Sequence, residues 1–151
     1  MSITNNCKPE TPLQKSYYAF WDGFNAYTKM ELEFCKEFKT HPYSTIRSYQ
    51  DYHIGEPYHI VVGINFQRKE IRVGAYFSNL DSYQFWSQYG KIWLESYLDS
   101  RLVWKKFETK GSAFLNKTAD FDQQHGWNNA YKVMAETMLK MKRAFLEDVK
   151  L

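Results

Sequence analysis

The stretch DYHIGEPYH places Asp51, His53, Glu56 and His59 within nine residues. Imidazole nitrogens and carboxylate oxygens are ligands of zinc and related ions, and the same groups exchange protons near neutral pH. Asp51 and His53 stand two apart, which on a strand puts them on one face. His59 follows a Gly55-Glu56-Pro57 turn that could bring it back across from them. The spacing matches no established metal motif, and exposed histidines are common on strands. The cluster therefore stands as an alternative polar site, with no metal, cofactor or catalytic residue assigned.

A second group is basic. LVWKKFETKGSAFLNKTADF carries Lys105, Lys106, Lys110 and Lys117 interleaved with Trp104, Phe107 and Phe114, and QRKEIR adds Arg68, Lys69 and Arg72. If the two segments face one way they could neutralise several phosphates, with affinity that falls steeply as salt rises. Lysines at hairpin edges also keep strands from pairing with other chains. The net charge of +3 and pI near 8.7 are mild for a dedicated nucleic-acid binder.

Other chemistry is disfavoured by what the chain lacks. It has no GxSxG, GxxxxGK or GxGxxG, and its 7 glycines are unclustered. The hairpin INFQRKEIRVGAYF holds Glu70 as its one acid and no Glu-x-Lys, so a restriction-type metal site is not expected there. Cys35 lies among glutamates in ELEFCKEF, a negative setting that argues against a nucleophile. Cys7 and Cys35 show no CxxC or Cys/His spacing and read as reduced thiols. The start MSITNNCKPETP has no charged-then-apolar leader, and no window reaches the roughly 18 apolar residues of a membrane span. A cytoplasmic protein without membrane contact is expected.

The elements that must position these groups are legible in periodicity. Thr11 followed by Pro12 predicts a helix start, and Leu13, Tyr17, Phe20, Phe24 and Tyr27 then share one face. Met30, Phe34 and Phe38 extend that stripe, so a helix is expected to run on towards Pro42. Strands are predicted at 45–54, 58–66 and 71–77, the second with Tyr58, Ile60, Val62, Ile64 and Phe66 on one side. Asn79 to Ser82 offers caps for a helix whose stripe is Phe85, Trp86, Tyr89, Trp93 and Tyr97, with Gly90 allowing close packing. Two strands at 102–107 and 113–118 follow, then a helix from near Asp122 with Trp127, Tyr131, Met134, Met138, Met141, Phe145 and Val149 in step.

With 151 residues and 44% hydrophobic content, the expected object is one α+β domain over 11–151 behind a flexible start at 1–10. Its order is α-β-β-β-α-β-β-α, with a largely antiparallel sheet of about five strands and helices on one face. An aromatic content of 19% exceeds what a core alone asks for and leaves a protein-binding or homo-oligomeric surface open.

The landmarks YYAFWDGF, SYQDYHIG, IVVGINF–IRVGAYF, FWSQYGKIWLESYL-SRLVWKK and HGWNNAYKVMAETMLKMKRAF occur in that order. From about Tyr17 to the C-terminus the chain resembles the bacterial domain-of-unknown-function family numbered 4268. The most characteristic pieces are the helix running into Leu102-x-Trp104 and the late helix opened by Trp127. Members of that family often follow restriction-endonuclease-like domains. The resemblance thus implies a non-catalytic module accessory to DNA processing or phage defence, with nucleic acid or a nuclease-type protein as partner. It supplies no catalytic residues, and no nuclease domain accompanies it in this sequence.

Overall fold

The computed structural model describes residues 8–147, so Cys7, Val149 and most of the expected loose start lie outside it. The element order is α1 (Pro12–Lys29), α2 (Leu32–Glu37), β1 (Tyr49–Gly55), β2 (Tyr58–Asn65), β3 (Glu70–Phe77), α3 (Leu80–Phe85), a π-turn (Trp86–Gly90), α4 (Lys91–Leu98), β4 (Val103–Lys106), β5 (Gly111–Thr118) and α5 (Gln124–Leu146). The expected α+β architecture is present, with the helices on one face of a five-stranded sheet. All strand pairs are antiparallel, in the spatial order β1-β2-β3-β5-β4.

α1 begins as expected. Thr11 Oγ1 accepts from the Gln14 amide at 3.1 Å, and the Gln14 side chain accepts from the Thr11 amide at 3.2 Å. This reciprocal pair satisfies two amides that the first helical turn leaves over. The helix buries Phe20, Trp21 and Phe24, then stops at Lys29. The expected continuation through Met30 is interrupted by a tight turn in which Met30 and Glu31 donate to Tyr27 and Thr28. This redirection carries Phe34 and Phe38 to Tyr52 on β1, with ring centroids 6.1 and 5.7 Å away, and leaves Met30 80% exposed.

A second correction falls on the middle helix. Asn79 caps α3 as expected, its Oδ1 accepting from the Ser82 amide at 2.9 Å. The buried positions, however, are Tyr83, Trp86, Gly90, Leu94 and Leu98, while Phe85 and Tyr89 face solvent. The buried residues follow one another in steps of three and four, and Phe85 and Tyr89, each next to a member of that stripe, fall on the adjoining outward side. A Cβ at Gly90 would stand 2.3 Å from the Trp86 ring, so this glycine does permit close packing.

The sheet's inner face carries Ile60, Val62 and Ile64 from β2, Ile71, Val73, Ala75 and Phe77 from β3, and Ala113 and Leu115 from β5, all buried. α5 crosses its middle with Met134, Met138, Met141 and Phe145 buried in turn. Four indoles find hydrogen-bond acceptors at the margins of this core: Trp21 on the Arg47 carbonyl at 2.8 Å, Trp86 on the Tyr58 hydroxyl at 3.0 Å, Trp104 on Glu95 Oε2 at 3.1 Å and Trp127 on the Phe121 carbonyl at 2.6 Å. An aromatic-rich core is tolerable because its polar tips are paired in this way. Lys142 binds the Glu37 carbonyl and forms an ion pair with Glu37 Oε1 at 3.1 Å, fastening α2 to α5.

Candidate functional site

Alternation puts every second strand residue on the face that no helix covers. Register aligns Asp51 with Val61, Gly63 with Arg72, Gly74 with Phe114, and Tyr76 with both His59 and Ser112. All of these but Gly74, which lies beneath the Phe114 ring, line a shallow groove of about 860 Å³. Its floor is shaped by two glycines. A Cβ at Gly74 would meet the Phe114 ring at 2.3 Å and the Ala113 carbonyl oxygen at 2.5 Å, and one at Gly63 would meet Arg72 Cγ at 3.0 Å. Because neither has a side chain, Phe114 lies over Gly74, and the Arg72 guanidinium sits 4.0 Å above the Phe114 ring centroid. Tyr76 meets the same ring edge-on at 5.5 Å. The result is a cation–aromatic stack across the middle of the sheet.

Of the seven basic candidates, Arg68, Arg72, Lys105 and Lys110 line the groove. Lys69 instead forms an ion pair with Asp122 at 3.1 Å. Lys106 and Lys117 pair in register with Gly111 and Ile71, so by alternation they stand on the helix side, at its exposed margin. The two hairpin tips do not coincide. β3 begins opposite Thr118, beside the Arg68-Lys69 turn, and ends opposite Gly111, beside Lys110. Its 8 residues separate the tips by about 25 Å at roughly 3.3 Å per residue. The groove thus has positive charge at both ends and in the middle, with Asp51 and Glu70 also among its lining.

The four residues of the polar cluster do come together, at the end of the groove nearer Lys110. His53 and His59 are register partners on β1 and β2, with ring centroids 4.7 Å apart. Glu56 sits in the turn between them, entered through Gly55 at φ 121°, a value that favours glycine. His53 Nε2 lies 3.0 Å from Glu56 Oε1, His59 Nε2 lies 3.9 Å from the same oxygen, and His59 Nδ1 lies 3.3 Å from Asp51 Oδ1. Ser78 Oγ donates to Glu56 Oε2 at 2.6 Å. The Ser78 hydroxyl, and after it the His53 hydrogen bond, hold the Glu56 carboxyl below its ordinary value.

No family model, curated protein or solved structure matches this chain in comparisons of sequence and fold.

Ser78, Tyr76, Ser112 and Asn116 also line the groove, and no motif in the sequence marks them. Alternation held the signal for three of them: once Ile71, Val73 and Phe77 point inward, Arg72, Gly74 and Tyr76 must point outward, and β5 repeats the pattern. Ser78 reaches Glu56 from 22 residues away, and nothing local to either residue announces it.

Proposed function

We propose that the chain is a non-catalytic binding module whose helix-free sheet face takes single-stranded nucleic acid. The observation that carries this reading is the Arg72–Phe114–Tyr76 stack at mid-groove, with Arg68 at one end and Lys105 and Lys110 at the other. The helix-free face offers the Arg72 guanidinium plane and Tyr76 to unstacked bases threaded along it, with the buried Phe114 ring supporting Arg72 from beneath, while the other cations meet the backbone. The resemblance to a family that often accompanies nuclease domains supports DNA as the polymer. Fluorescence anisotropy at low salt, with single- and double-stranded DNA and RNA, tests it. Binding should favour single strands, and four phosphate contacts would give a log–log salt slope of about −3. Arg72→Glu with Lys105→Glu should weaken binding at least tenfold at all sequences alike. Absence of binding to every form at low salt defeats this reading.

A second reading rests on a different surface. Phe85, Tyr89 and Ile92 are 44%, 70% and 84% exposed along α3, the π-turn and α4, and the two rings stand 6.0 Å apart. Such a patch fits a protein partner or a second copy. Light scattering tests the second copy: a concentration-dependent dimer that Tyr89→Glu and Ile92→Glu abolish supports it, and a strict monomer removes it.

A further inference from the structure

We propose that His53, Glu56 and His59 bind a divalent transition-metal ion of the zinc class. One donor atom from each lies within 4.8 Å of the other two. Glu56 Oε1 is 3.0 Å from His53 Nε2 and 3.9 Å from His59 Nε2. Donors around a tetrahedral zinc stand about 3.4 Å apart, given metal–ligand distances of roughly 2.0–2.1 Å, so these two spacings bracket the required one.

The outer contacts are those a metal site uses. An imidazole that ligates through one nitrogen is held by a partner on the other, most often a carboxylate or carbonyl. Asp51 Oδ1 lies on His59 Nδ1, which leaves Nε2 turned towards Glu56. The Ser78 hydroxyl occupies Glu56 Oε2, which leaves Oε1 facing both histidines. Two of the three ligands are therefore oriented by a neighbour. The backbone adds rigidity: His53 and His59 are paired across the ladder, and the Gly55–Pro57 turn that carries Glu56 joins their strands.

Ligand chemistry sets the class of ion. Two imidazoles and one carboxylate suit zinc, cobalt or nickel, whereas magnesium and calcium ask for oxygen donors. Three protein ligands at an exposed groove end leave further positions for water or for an anionic group of a bound molecule. None of the three ligands belongs to the basic set, so metal binding and nucleic-acid binding succeed or fail separately.

Calorimetric titration of the full chain with zinc at neutral pH tests the site, alongside His53→Ala, His59→Ala and Asp51→Asn. One ion per chain is expected. Each histidine variant should lose at least 100-fold in affinity, and Asp51→Asn about 10- to 100-fold. All three side chains are at the surface, and circular dichroism checks that the variants remain folded. Cobalt then reports the ligand type: a complex without thiolate charge-transfer bands agrees with nitrogen and oxygen donors. Thiolate bands, no saturable binding, or equal binding by wild type and both histidine variants would overturn the proposal. Protection by zinc but not by magnesium against thermal unfolding is the companion expectation.

Discussion

Asn25 and Gln50 exchange two hydrogen bonds inside the core, Asn25 Nδ2 to Gln50 Oε1 at 3.2 Å and Gln50 Nε2 to Asn25 Oδ1 at 3.0 Å. Both side chains are buried, at 7% and 1% exposure. Gln50 Nε2 also donates to the Tyr52 hydroxyl at 3.0 Å. The pair joins α1 to the inner face of β1 and sets how the helix lies on the sheet edge. Removing one partner strands the other without a hydrogen bond. Asn25→Ala should cost about 2–3 kcal/mol in urea unfolding, and Asn25→Leu with Gln50→Met should cost less than the sum of the two single changes.

The glycine at position 74 makes a second test. Gly74→Ala places a methyl against the Phe114 ring and a backbone oxygen, so the strands or the ring must shift. A destabilisation of about 1–3 kcal/mol is expected. The same change should disperse the Arg72–Phe114 stack, read as altered chemical shifts at both residues.

Burial keeps the Tyr52 hydroxyl neutral well above its ordinary value of 10.0, although the Gln50 hydrogen bond acts in the opposite direction. Tyr131 is shifted upwards mainly by burial as well, with the Asp22 charge adding to it. Above pH 10 the unfolded chain releases these protons and the folded chain retains them, so stability should fall with rising pH from about 10 upwards. Tyr52→Phe should flatten that fall in denaturant titrations carried out between neutral pH and the alkaline range.

Glu56 behaves in the opposite sense. Its lowered carboxyl pKa gives a contribution that is present above its ordinary value of 4.5 and lost as pH drops through the folded value. Ser78→Ala removes the largest cause and should move the Glu56 titration upwards in carboxyl NMR. An unchanged midpoint would mean that Ser78 does not hold the carboxylate in solution.

Glu95 offers a test of the connection into β4. Its Oε2 accepts from the Leu102 amide at 2.9 Å and from Trp104 Nε1 at 3.1 Å. Glu95→Ala leaves both donors without this acceptor and should cost about 2–3 kcal/mol, with a red-shift of tryptophan emission as Trp104 loosens.

Strand alternation and helix stripes carried most of the architecture, because their periods of two and 3.6 are local. What escaped was non-local or off-period. The break at Met30 follows from where Phe34 and Phe38 can reach Tyr52, a partner in a later strand. Phe85 and Tyr89 face solvent beside a buried stripe of Tyr83, Trp86, Gly90, Leu94 and Leu98, and ring spacing alone does not say which of two adjoining stripes the sheet will cover. At the site, Asp51, His53 and His59 were readable as one face of a hairpin, since turn and register are short-range. The distance between the two basic tips depended on β5 inserting between β3 and β4, a choice of strand order that no local pattern encodes.

The outer edge of β1 has its own consequence. Thr45 Oγ1 donates to the Tyr49 carbonyl at 3.4 Å, and His41 Nε2 lies 2.8 Å from the Asp51 carbonyl. Two outward acceptors of that strand are thus engaged by the chain's own side chains, which blunts the edge against a visiting strand. Among the described residues, the short β4 with Lys105 and Lys106 is the other border of the sheet. Should two copies meet strand to strand, the join would fall there. A two-fold join consumes both β4 borders at once, so an assembly made through β4 closes at a pair.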